Sequence, residues 1–185
     1  MTALVGIKYN QGIVVASDLL MYFPPSAGRK REETRKIFHC DRLVVGYSGG
    51  IDGHLSNWKL DEKLKDISTS RNDEEIVSYL PEWISDHRIA MASFDFPMGF
   101  PGEPKQLEEY AKKSHYQLGV IIALRQGPNF RLFRYDTKSN KMHESSKSII
   151  RRPQGDPIDD SPHLSLITQE EAIAAASKTI ENYNT

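Results

Sequence analysis

Apolar and polar positions follow two different rhythms along this chain. From Thr2 to Tyr9 and from Ile13 to Asp18 the residues are mainly apolar and β-branched, and Asn10-Gln11-Gly12 separates the two runs. That pattern predicts a β-hairpin whose first strand starts close to residue 1. Leu19 to Glu33 contains Pro24, Pro25, Gly28 and a basic cluster, so an irregular loop is expected there. A second strand pair is predicted over Arg35–Cys40 and Leu43–Ser48, with Asp41-Arg42 as the tight connection. Two hairpins in succession imply an antiparallel sheet.

After Gly49-Gly50 the spacing changes. Leu55, Trp58, Leu60 and Leu64 recur among Asp and Lys at helical intervals from Ile51 onward, which predicts a helix with these residues in the core or at an interface. Asn72-Asp-Glu-Glu supplies a cap and an acidic first turn for a second helix, with Ile76, Val77, Leu80, Trp83 and Ile84 on its apolar side and Pro81 as a point of kinking. Phe94 to Pro104 holds three prolines, two glycines and three phenylalanines. A surface loop is expected there, with a partner subunit as one candidate to cover its aromatics. Strand character returns over Tyr116–Leu124 and Phe130–Tyr135 around Gly127-Pro128, and a more polar strand is expected over Met142–Ile150. Thr168-Gln-Glu-Glu is a capping box, and the helix it opens should run through Ala172 to Ile180. Strands, helices, strands and a final helix make an α+β layered domain over 1–185, unlike the alternating order of a doubly wound parallel sheet.

Composition narrows the function classes. The chain has 185 residues, 38% of them hydrophobic, enough for a substantial core. Its 24 Lys and Arg against 25 Asp and Glu leave a net charge of -1, so neither nucleic acid nor an anionic membrane is an expected partner. No apolar run approaches the ~20 residues of a membrane-spanning helix, and no signal-peptide pattern opens the sequence. The single cysteine, Cys40, excludes an intramolecular disulfide and reads as a buried structural thiol. A cytoplasmic protein is expected. The six histidines lack metal-ligand spacing, and no cofactor is implied.

The candidate chemistry starts at Thr2. A threonine hydroxyl is a poor nucleophile alone, but at a chain terminus freed by removal of Met1 the α-amine, with a reference pKa of about 8, is a base suited to accept its proton. Asp18 closes the second apolar run, where an acidic residue is either a turn cap or a buried charge with a partner. Lys36 opens the third strand and is a candidate for that partner, although Lys30 and Arg35 nearby are equally basic and a plain surface lysine is the alternative. An ammonium near the Thr2 hydroxyl would favour its deprotonated form, and a carboxylate would keep that ammonium charged. Ser48-Gly49-Gly50 lies at a strand-to-helix junction, where backbone N–H groups are able to hold an oxyanion. Gly46-Tyr-Ser-Gly-Gly50 also spells Gly-x-Ser-x-Gly, but a serine hydrolase of that type needs a larger parallel sheet, and the antiparallel start argues against it.

Taken together, Thr2-Ala-Leu-Val-Gly-Ile-Lys-Tyr-Asn-Gln-Gly-Ile-Val-Val-Ala-Ser-Asp18, then Thr34-Arg-Lys36-Ile, then Gly46-Tyr-Ser-Gly-Gly50 resemble the start of proteasome β-type and HslV-like N-terminal-nucleophile (Ntn) hydrolases. The spacing from Thr2 through Gly12 to Asp18 matches that family without a gap. The spacing to Lys36 is longer by a short insertion in the Pro24-Pro25 loop, and that from Lys36 to Gly49 is shorter by one residue. The resemblance implies a four-layer αββα sandwich with two antiparallel sheets, shortened at its C-terminal end. It implies Thr2 as nucleophile, Asp18 and Lys36 as the charged pair that tunes it, Gly49 as oxyanion donor, and Tyr22 and Tyr47 as substrate-binding residues. The activity implied is threonine-type hydrolysis of peptides or unfolded protein in a homo-oligomeric ring; whether an ATPase serves it stays open. The second half departs from the family. Ser148-Ile-Ile-Arg-Arg-Pro-Gln-Gly155 stands where the family has a Gly-Ser-Gly turn, and Asp156, Asp159, Asp160 and Ser161 read as a solvated acidic loop. Two alternatives follow: a ring-building or binding subunit with a weakened site, and an amidase or transpeptidase using the same threonine.

Overall fold

The computed structural model describes residues 3–21, 32–33, 35–48, 60–95, 109, 119–136, 139–146, 148–151, 158–160 and 168–184. Strands β1 (Leu4–Tyr9) and β2 (Gly12–Ser17) form the expected hairpin, followed by β3 (Leu20–Met21), β4 (Glu32–Glu33), β5 (Ile37–His39) and β6 (Leu43–Ser48). Helices α1 (Leu60–Ser70) and α2 (Asp73–Asp95) come next, then β7 (Gly119–Gln126), β8 (Asn129–Asp136), β9 (Lys141–Ser145), β10 (Ser148–Arg151), β11 (Ile158–Asp160) and helix α3 (Gln169–Asn184). The described part of the chain is thus α+β, with two larger antiparallel sheets and three helices.

The first sheet has the order β11-β10-β1-β2 and the second the order β5-β6-β7-β8-β9. All neighbouring strands are antiparallel, from Tyr9↔Gly12 in the opening hairpin to Val45↔Ile122 at the centre of the second sheet. The alternation along β1 explains how the sheets stack. Leu4 points into a cluster with Ile121, Leu132 and Ile149, bordered by Ile13 and Val15, which joins the two sheets. Val5 and Ile7 point the other way and bury Ala172 and Ala176 of α3. The opposite face of the second sheet, carrying Val45, Tyr47, Val120, Ile122 and Phe133, packs on Leu60, Leu64, Ile76, Leu80 and Ile84 of α1 and α2. Period-2 strands with both faces covered bury apolar side chains on each side. The stacking is compatible with a sandwich.

Two glycines set how closely the sheets approach. A Cβ on Gly6 would lie 2.9 Å from both Ile121 Cγ2 and Leu132 Cδ1, and one on Gly46 would lie 2.7 Å from Leu4 Cδ1 and 3.1 Å from Val15 Cγ1. Both face the opposite sheet where a side chain has no room.

The predicted caps form. Asn72 accepts from the Glu75 N–H at 3.0 Å while Glu75 accepts from the Asn72 N–H at 2.8 Å. Thr168 and Glu171 repeat the reciprocal pattern at the start of α3. Helix α2 continues through Pro81 and reaches Asp95, so Phe94 belongs to a helix and not to the expected loop; the rest of Phe94–Pro104 lies outside the described residues. The expected helix from Ile51 is described only from Leu60.

Three strand expectations need correction. The segment from Leu19 to Glu33 is not wholly irregular, because Leu20–Met21 and Glu32–Glu33 pair as a short ribbon. The single strand expected over Met142–Ile150 is two strands in different sheets: β9 pairs with β8 in the second, and β10 pairs with β1 in the first. Ile149 of β10 contributes to the inter-sheet core, which draws the chain across between Ser145 and Ser148. The acidic stretch around Asp159 and Asp160 is also partly strand, since β11 pairs with β10 through Ser148↔Asp160.

Candidate functional site

The start of β1, the end of β2 and the approach to β5 converge. The antiparallel pairing that sets Leu4 opposite Ser17 brings Ala3 beside Asp18, and the Asp18 N–H donates to the Ala3 carbonyl at 3.3 Å. In return the Asp18 carboxylate accepts from the Ala3 N–H through Oδ2 at 2.5 Å. Its other oxygen, Oδ1, accepts from the Lys36 ammonium. One carboxylate therefore ties the strand after residue 2 to the strand that carries the lysine.

This ion pair is enclosed: the Asp18 side chain is 1% exposed and that of Lys36 4%. Removing two such charges from water costs several kcal/mol per ion, and their mutual attraction offsets this only with good geometry and further hydrogen bonds. The Ala3 N–H supplies one of these. Lys36 is held by its backbone too, because its carbonyl accepts from the Tyr47 N–H at 2.8 Å, extending by one residue the ladder in which Ile37 pairs with Gly46. The sequence left Lys36 open between a surface lysine and the partner of Asp18, and the structure selects the second.

Of the expected site residues, Asp18 and Lys36 are brought together. Thr2, Tyr22 and Gly49 lie outside the described residues. Tyr47 is brought into the core between the second sheet and α1 and α2, where it is 0% exposed. It meets Phe38 edge to face, with centroids 6.1 Å apart. A ring so enclosed offers no surface to a substrate, and burial pushes its phenol above the ordinary tyrosine value. What Tyr47 gives the site is its backbone N–H.

Two residues around Lys36, Ala3 and Asp61, were not singled out by sequence. Ala3 anchors Asp18 through a main-chain group, which no residue-type pattern signals. Arg35, next to Lys36, gives two guanidinium hydrogen bonds to Asp61 at 2.7 and 3.1 Å, and the Asp61 carboxylate also accepts from the His39 N–H at 3.1 Å. The acidic first turn of α1, Asp61-Glu62, was the only available hint. Cys40, expected to be buried, is half-buried, with its thiol 3.6 Å from the Leu64 carbonyl.

Among the described residues, no three His, Cys, Asp or Glu side chains are grouped to hold a metal ion, and no helix is long and apolar enough to cross a membrane. What the site offers chemically is an enclosed lysine–aspartate pair, tied through the Ala3 N–H to the residue that follows Thr2 in the sequence. No protein-family model matches the chain, and no curated protein matches it.

Proposed function

We propose that the chain is an N-terminal threonine hydrolase acting on peptide bonds, with the four-layer αββα arrangement of Ntn hydrolases and assembly into a homo-oligomeric ring. The observation that carries this is the enclosed Asp18–Lys36 pair hydrogen-bonded to Ala3, the residue directly joined to Thr2. A buried lysine and aspartate are costly to maintain for stability alone, and these two are the residues that the sequence pattern ties to Thr2. The stacking of two antiparallel sheets with helices against both outer faces supports the same family.

In this scheme Thr2 Oγ1 attacks the substrate carbonyl and its proton passes to the α-amine left by Met1 removal. The amide C–N bond then breaks, the leaving amine takes that proton, and water hydrolyses the resulting ester. The Lys36 ammonium lowers the energy of the developing alkoxide, and Asp18 keeps that ammonium charged and in place. Gly49 is the proposed oxyanion donor.

The test is the intact mass of the purified protein before and after a threonine-directed epoxyketone, with Thr2→Ala as control. Loss of Met1 and a single adduct on the native protein alone is the expected result. Retained Met1, or a processed protein that never reacts, would overturn the proposal in favour of a ring-building or binding role.

A further inference from the structure

Lys36 directly precedes a short strand that is, among the described residues, the edge of its sheet. Strand β5 is only Ile37–His39 and pairs with β6 on one side; with the Tyr47–Lys36 bond, four residues of ladder hold the backbone that places the lysine. The outer edge of β5 is occupied by side chains. Arg35 Nε donates to the Ile37 carbonyl at 2.7 Å, and Asp61 Oδ1 accepts from the His39 N–H at 3.1 Å. These are two main-chain groups that a further strand would otherwise engage. The two side chains close on each other through the paired Arg35–Asp61 hydrogen bonds, and the guanidinium carbon sits 4.9 Å from the centroid of the Phe38 ring. Because Asp61 belongs to the first turn of α1, which is packed on the second sheet through Leu60 and Leu64, the brace runs from a fixed helix to both flanks of Lys36.

We infer that Asp61 is a positioning residue for Lys36, acting through Arg35 and the β5 main chain as a side-chain substitute for a sixth strand. The inference rests on the threonine-hydrolase proposal for its catalytic consequence and on the geometry alone for the brace. Asp61 touches neither Lys36 nor, in this scheme, the substrate. As an ion pair it is half-exposed, at 52% for Arg35 and 45% for Asp61, and pairs of that kind contribute little to global stability. Loss of Asp61 should therefore loosen the strand carrying Lys36 while leaving the fold nearly as stable as before.

The experiment compares native protein, Asp61→Ala and Asp61→Asn by two readouts at matched protein concentration. The first is the rate of Thr2 acylation by the epoxyketone, separated into the binding constant and the limiting rate. The second is the rate of Lys36 reductive methylation, read by peptide mass spectrometry, with urea midpoints alongside. For Asp61→Ala the limiting rate should fall about 10- to 100-fold, the scale of a misplacement near 1 Å, with binding unchanged. Lys36 should be methylated faster, and Asp61→Asn, which keeps an oxygen for the His39 N–H, should recover part of both. An Asp61→Ala protein that acylates and methylates like the native one would overturn the positioning role while leaving the threonine proposal intact. A native protein that never acylates would overturn the threonine proposal, and with it the catalytic role of Asp61, whatever Lys36 methylation shows about the brace. A large drop in the urea midpoint of Asp61→Ala that Asp61→Asn does not restore would also overturn it, because the residue would then be structural.

Discussion

Neutralising one member of the Asp18–Lys36 pair should take from the other, enclosed residue the opposite charge that offsets its burial. With side-chain exposures of 1% and 4%, the relevant comparison is a buried pair, for which removal of one partner costs about 3–5 kcal/mol. For a domain of this size each kcal/mol shifts Tm by about 2–4 °C, so Asp18→Asn and Lys36→Met should each lower Tm by roughly 6–20 °C. Asp18→Asn keeps an oxygen for the Ala3 N–H, which isolates the loss of charge from the loss of that hydrogen bond. The double variant has no unpaired charge and should recover most of the stability, so the coupling energy from the cycle should be about 3 kcal/mol or more. Urea unfolding of the four proteins at one protein concentration measures it, with unchanged m-values as the check that the same transition is being compared. Stability and chemistry should then separate: the double variant regains the fold but not Thr2 reactivity, because no ammonium remains beside the hydroxyl. Single variants that lose less than about 1 kcal/mol with negligible coupling would mean the pair behaves like a solvated surface pair, and the argument for an enclosed charged site would fail.

Two further outcomes follow from the core. Gly46→Ala places a methyl 2.7 Å from Leu4 Cδ1 and 3.1 Å from Val15 Cγ1, so urea unfolding should show a loss of about 1–3 kcal/mol, the usual cost of overpacking; a neutral result would mean that the Leu4 side chain swings away freely. Tyr47 titrates above its ordinary value in the folded protein because burial disfavours the phenolate. Its unfolded form loses its proton at about pH 10, so the stability it supports is present below that pH and is lost above it. Tyr47→Phe should therefore reduce the fall in unfolding free energy above about pH 10 by up to ~1.4 kcal/mol per pH unit, measured by urea titrations across that range; an unchanged alkaline slope would contradict it.

Local elements were legible from residue pattern because short-range physics decides them. Alternating β-branched residues around Asn10-Gln11-Gly12 give β1 and β2, and the Asn72–Glu75 and Thr168–Glu171 boxes start α2 and α3. Asp18 and Lys36 could be named as candidates from local pattern too, Asp18 closing an apolar run and Lys36 opening a strand. Long-range placement was not legible. A polar stretch such as Met142–Ile150 carries no mark of which sheet it joins, and only the inter-sheet cluster around Ile149 divides it into an edge of one sheet and an inner strand of the other. Leu20–Met21 finds Glu32–Glu33 across a loop whose composition signals only irregularity. Tyr47 reads as a residue for a pocket, yet the face of β6 that packs on α1 and α2 takes its ring.

The sequence by itself determined the hairpins, the starts of α2 and α3, the α+β order and the residue types from which a charged site could be built, since each depends on neighbours within a few positions. Tertiary structure decided that Lys36 pairs with Asp18, that Ala3 joins them, and that the neighbouring Arg35 turns to Asp61. The physical reason is that a lysine, an arginine and an aspartate are equally at home in water, and only enclosure by strands distant in sequence makes one particular pairing of them far more favourable than the others.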